Sequence, residues 1–216
     1  MERRIMKKIM FNDKYGLTQA VLDGRKTMTR RIVPQCILDA AKKYQEEYYA
    51  GALEHISLKD AIMNMVGPER MFQRYIYHIG EIVAIAQSYS TLGYSASEYC
   101  EIKMPNGGTR DGTLEELMGW SNKMYVNAER MINHIRITGF KVEYLQDISD
   151  EDCLREGITH VETGINHYGV RDTVIGTTYY FYTPRAAFAF LIDRVGKRGT
   201  WDSNPLVFAY ECERVY

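Results

Sequence analysis

The sequence predicts an α+β fold: a mixed sheet curling into a small, partly open barrel, with helices packed at its rim. Three observations lead there. β-favouring runs alternate with helical stretches along the chain, yet at irregular intervals. That spacing argues against repeated βαβ units and a doubly wound nucleotide-binding fold. The 216 residues, 45% apolar and 25% charged, suit a globular chain with one large domain rather than two small ones.

Taken in order, residues 7–11 read as a short strand and 15–23 as a short helix with Leu17, Ala20 and Val21 on one side. Asn12 or Asp13 suits its start, and Gly24 stands where a glycine ends a helix. The run 27–33 favours a strand, which Pro34 terminates. Residues 36–66 read as two helices, the second opening at Ser57, with Gly67-Pro68 as the break. A turn at 78–81 leads into a buried strand over 82–86. The polar stretch 91–121, with Pro105-Asn106-Gly107-Gly108 inside it, reads as a surface insertion.

Residues 132–145 alternate as one long strand, bent at Gly139. Ser149 opens a short helix that ends at Gly157, with Asp152 at the capping-box position. Residues 158–182 favour β structure. Pro184 opens a helix over 185–195 with Phe188, Leu191, Ile192 and Val195 on one face. A last strand runs over 205–216. The expected domain is therefore a single one over 1–216, with insertions at 36–70 and 91–121.

Charge narrows the function classes. Lys plus Arg total 27 and Asp plus Glu total 28, so the basic excess typical of a duplex-coating protein is missing. Nucleic-acid contact then has to use a local patch. The four cysteines are scattered with no CxxC pair, which disfavours a zinc knuckle and suits free thiols in a reducing cytoplasm. No apolar stretch reaches membrane-spanning length, and the basic N-terminus lacks the apolar run of a signal peptide.

The local patch is residues 22–31, where Arg25, Lys26, Arg30 and Arg31 crowd together with Thr27, Thr29 and Gly24. Such a cluster suits a phosphate or a polar base. Beside other cations a lysine loses protons more easily, which suits a base or nucleophile. The competing reading is a solvated basic loop. Glu156, closing the short helix against the unfavourable dipole end, invites a compensating cation. His160 and His167 flank Glu162 at a spacing that fits no metal template, so no metal and no cofactor are expected. Trp201-Asp202-Ser203-Asn204-Pro205 reads as a turn, with Trp201 covering a barrel end or stacking on a base.

Five pieces in this order resemble the ASCH family of the PUA-like superfold. They are residues 20–31, residues 77–83, Ile135-Arg136-Ile137 with 142–148, residues 150–158, and residues 201–207. The last resembles ASCH-like proteins of phages and phage-derived bacterial genes. Where many members carry an Arg-Glu pair, this chain has Ala86-Gln87-Ser88. The resemblance implies a small mixed β-barrel whose cleft recognises RNA or a nucleotide, with Arg25, Arg30, Arg31, Trp201 and Asn204 as contacts. One ASCH branch removes the acetyl group from acetylcytidine. Its catalytic lysine, threonine and glutamate fall on Lys26, Thr29 and Glu156, with Arg31 as a substrate or oxyanion contact. A third possibility is a phage-derived assembly protein whose inserts and tyrosines meet a partner.

Overall fold

The structure, a computed structural model, describes residues 6–49, 56–66, 75–103, 107–162 and 166–215. The Gly67-Pro68 break and the Pro105-Asn106 part of the expected turn lie outside them. Strands are β1 (Lys8–Ile9), β2 (Met28–Ile32), β3 (Ile82–Ile85), β4 (Tyr99–Lys103), β5 (Thr109–Thr113), β6 (His134–Tyr144), β7 (Thr159–Glu162), β8 (Asn166–Asp172), β9 (Thr177–Phe181) and β10 (Leu206–Val215). Helices are α1 (Leu17–Leu22), α2 (Gln35–Tyr49), α3 (Leu58–Met65), α4 (Asp150–Arg155), α5 (Pro184–Val195) and α6 (Thr200–Ser203). The fold is mixed α+β, as expected from the sequence. Its strands form separate open sheets, and no closed barrel is present among the described residues. No described helix is long and apolar enough to cross a membrane.

The chain divides into two compact units. The first comprises Met1–Phe11, Ile82–Ile135 and Arg214–Tyr216. Here β1 pairs in parallel with β3, Lys8 opposite Ala84 and Ile9 opposite Ile85. The apolar run of β3 is fully buried from Val83 to Ile85, as befits a strand covered on both faces. Ala84, Ala86, Tyr89, Val126 and Met131 form its core. β4 and β5 make an antiparallel hairpin, Glu101 opposite Asp111. The stretch expected to be an insertion therefore has strand structure of its own.

The second unit comprises Asn12–Glu81 and Arg136–Glu213. Its sheet runs β6-β10-β2, with β10 antiparallel to β2 and Tyr210 opposite Thr29. A second sheet is the meander β7-β8-β9. Helix starts follow the local chemistry. Thr183 caps α5 by accepting from Ala186 N, with Pro184 in its first turn; Ser149 caps α4 by accepting from Asp152 N; Ser57 caps α3. α2 buries Ile37 and Ala41, one turn apart, and α3 buries Ala61 and Ile62.

Four local expectations are corrected. α1 starts at Gly16 in the left-handed conformation (φ 63°) without a side-chain cap, because Asp13 accepts from the Thr18 hydroxyl and Asn12 from Tyr15 N. Asp152 is not a capping-box acid: its carboxylate turns inward to Arg30 and Lys141. Val195 is 37% exposed and leaves the buried face of α5, which Phe188 and Leu191 hold. Residues 200–203, read as a turn, form the short helix α6.

Candidate functional site

The basic motif is assembled within the second unit by backbone bonds to three different elements. α1 ends at Asp23, and Gly24 turns the chain with φ 75°. Lys26 N then donates to Ala20 O at 2.9 Å, and Thr27 N to Arg155 O at 2.9 Å. Cys212 N of β10 donates to Thr27 O at 2.9 Å. The segment before β2 is thereby fixed to the end of α4 and to the neighbouring strand.

Strand alternation then sorts the side chains. Met28 and Arg30 face one side of β2, Thr29 and Arg31 the other. Lys26 and Arg30 converge on Glu156, the residue that closes α4. The Lys26 ammonium donates to Glu156 Oε2 at 2.5 Å, to Glu156 O at 2.8 Å and to Met28 O at 2.7 Å. Three acceptors thus match the three hydrogens of an ammonium. Its side chain is 2% exposed. Burial lowers the Lys26 pKa from its ordinary value, with Glu156 opposing the shift.

Arg30, also buried, is the hub. Its Nε donates to Glu143 Oε1 at 2.8 Å, its Nη2 lies 2.9 Å from Asp152 Oδ2, and its Nη1 lies 3.1 Å from Glu156 Oε1. Lys141, half exposed, bridges Glu143 Oε2 at 3.0 Å and Asp152 Oδ2 at 3.1 Å. Arg155 adds contacts to Asp152 Oδ1 at 3.4 Å and to Glu211 Oε2 at 3.2 Å, so Lys26, Arg30, Lys141 and Arg155 face Glu143, Asp152, Glu156 and Glu211, and charge balances. Desolvation raises the Asp152 pKa, but hydrogen bonds from Lys141 and Arg30 outweigh it and hold the carboxyl below its usual value. Desolvation likewise opposes the charge on Arg30, and Glu156 and Glu143 overcome it. Burial pushes the Cys153 thiol up to about 12 and Cys212 up to about 11, so neither is a ready thiolate.

The remaining expected residues are distributed around this network. Thr29 is buried on the opposite face of β2, beside its cross-strand partner Tyr210, and so is not brought to the Lys26–Glu156 pair. Arg31 is half-buried on that same face, with Tyr77 and Tyr210 in its electrostatic reach. Trp201 packs edge-on to Phe188 and receives Arg185 5.0 Å above its ring. Asn204 adopts φ 43°, and its Oδ1 accepts from Gln146 N at 2.8 Å. Trp201 and Asn204 thus have structural partners of their own. Arg30, expected as a ligand contact, is occupied by carboxylates instead. His160 stacks on Tyr168.

Of the motif cations, Arg25 lines a cavity of about 380 Å³. Leu17, Ala20, Ile158, Val170 and Leu191 form its apolar wall, and Arg171 of β8 supplies a second cation. Arg171 has no ion-pair partner among the described residues, whereas Arg25 shares Asp23 at 3.1 Å. Gly157 lines the same cavity with φ 102°; a Cβ there lies 3.6 Å from Lys26 Cβ. One glycine thus separates the buried network from the open space. Glu143, Lys141 and Arg171 were not singled out from the sequence, and Asp152 was read only as a capping acid. The parity of Glu143 along a long apolar strand was an available signal; Arg171 gave none.

Comparison with protein-family models, with curated proteins and with solved structures yields no match for this chain.

Proposed function

We propose that the chain is an ASCH-like protein of PUA-like architecture that binds a nucleotide, free or at the end of a single RNA strand, beside the Gly24–Arg31 motif. The carrying observation is the 380 Å³ cavity with Arg25 and Arg171 set against an apolar wall. Its volume falls within the range of about 300–1,000 Å³ usual for small-molecule sites. An apolar wall suits the face of a base, and two guanidinium groups suit a phosphate. The buried ion network behind Gly157 acts as the rigid support that fixes this wall.

The test is calorimetric titration with nucleoside monophosphates and short oligoribonucleotides. Arg25→Ala and Arg171→Ala should each weaken binding about tenfold and flatten its salt dependence by about one phosphate contact. Equal affinity in the double variant, or no binding by any member of the panel, overturns the reading.

A second reading, hydrolysis of acylated cytosine nucleosides, draws on one observation: the 2.5 Å contact between Lys26 and Glu156, with the lysine pKa lowered. It requires the enclosed ammonium to open toward the cavity. Acetate release from acetylcytidine, lost in Lys26→Ala and Glu156→Gln, is its signature; an intact substrate rejects it.

A further inference from the structure

The first unit carries a groove of about 750 Å³ whose chemistry is opposite to that of the Arg25 cavity. Tyr89, Tyr99, Met118 and Tyr125 line it together with Glu98 and Glu101. Tyr99 is 80% exposed, Met118 64% and Tyr125 50%, so a large aromatic surface faces solvent. Isolated exposed apolar residues are ordinary; several around one groove are not.

Two further features indicate what the groove accepts. Glu116, also in its wall, is already held by Arg110 at 2.6 Å, while Glu98 and Glu101 have no ion-pair partner among the described residues. Glu101 moreover stands directly across the β4–β5 hairpin from Asp111, which likewise has no such partner. Like charges at facing positions destabilise a hairpin, and an incoming cation relieves them. Arg130 is the one cation among the described lining residues, so the wall keeps a negative excess. The two-stranded sheet β4-β5 pairs with no other described strand, a topology that suits the addition of an extended segment at its edge.

We infer that this groove docks an extended, arginine- or lysine-bearing segment of a partner protein. The carboxylates Glu98 and Glu101 take its charges, and the faces of Tyr99 and Tyr125 take guanidinium or ammonium groups by cation–π contact. Phosphate-bearing ligands are repelled by the same excess, so the groove does not bind the nucleotide proposed for the Arg25 cavity.

The experiment is a titration of the isotopically labelled full chain with a blocked deca-arginine peptide, followed by amide chemical shifts. Shifts should concentrate at residues 98–101, 114–119 and 125–130, and affinity should fall steeply with salt. Glu98→Gln with Glu101→Gln should weaken binding at least tenfold, and Tyr99→Ala several-fold. All three positions are exposed, and an unchanged melting profile verifies that the variants fold. Arg25→Ala with Arg171→Ala should leave peptide binding unaltered, which separates this result from the nucleotide reading. Unchanged affinity in the double glutamine variant, shifts spread evenly over other acidic surface, or preferential shifts at these residues with an oligoribonucleotide overturn the proposal.

Discussion

Arg30 Nη2 stands 2.9 Å from Asp152 Oδ2, and the same guanidinium reaches Glu143 and Glu156. One planar group thus ties β2 to β6, to the first turn of α4 and to Glu156, which caps its end. Burying charges is costly, and such a network stabilises only while every member is paired. Arg30→Ala leaves three inward carboxylates short of their shared cation. The expected loss is about 3–5 kcal/mol in chemical denaturation. Arg30→Lys should also destabilise, since a point charge cannot reproduce a fork that contacts three carboxylates. A lysine variant as stable as the parent would deny Arg30 its role as hub.

The sign of the acid response follows from Asp152. Desolvation pushes its pKa up, but Lys141 and Arg30 more than reverse that and hold it below the ordinary value. A carboxyl depressed in the folded state adds stability that is fully present above its unfolded pKa, about 3.9. That stability disappears as pH falls from about 4 through the lower folded value. Asp152→Asn should therefore be less stable at neutral pH and show a flatter acid limb. Parallel acid limbs in parent and variant would remove Asp152 from this linkage.

Elements whose identity rests on local chemistry were legible in the sequence. Ser149 and Ser57 cap the helices they were expected to open, Pro184 stands in the first turn of its helix, and β2, β3, β6 and β10 lie within the runs expected for them. A compensating cation at Glu156 was expected from its place at a helix end, the ASCH resemblance set Lys26 beside it, and the two residues, 130 apart, do meet. Arg30 was misjudged for a physical reason: an arginine in a basic run looks exposed until its strand neighbours are known. Its partners Glu143 and Asp152 lie more than a hundred residues away, and nothing local announces them. Thr29 shows the same limit. Its place beside Lys26 was implied by the ASCH resemblance; residues three apart do not share a face of a regular strand, and the alternation that starts at Met28 turns Thr29 away.

Gly157 is the thin wall between network and cavity. Its φ of 102° lies where side chains are strained, and an added Cβ meets Leu17 Cδ2 at 3.3 Å. Gly157→Ala should cost about 1–3 kcal/mol from backbone strain and should also weaken nucleotide binding by narrowing the cavity. Gly24→Ala is the matched control, with φ 75° and nothing within 4 Å of the added carbon. It should lose stability from its backbone alone and leave affinity nearly unchanged. Equal effects of both substitutions on affinity would show that Gly157 does not shape the site.

Asn204 separates a structural role from a ligand contact. It is the non-glycine residue with positive φ among the described residues, and its Oδ1 accepts from Gln146 N at 2.8 Å. Asparagine tolerates this left-handed conformation, and glycine tolerates it better. Asn204→Ala combines backbone strain with loss of the acceptor and should cost about 1–2 kcal/mol. Asn204→Gly loses the same acceptor but gains backbone ease, so it should cost less. Both variants should bind nucleotide as the parent does, because Asn204 is not among the residues lining the Arg25 cavity. Thermal melts together with calorimetric titrations distinguish the cases. A variant of unchanged stability that binds nucleotide poorly would move Asn204 from the framework into the ligand site.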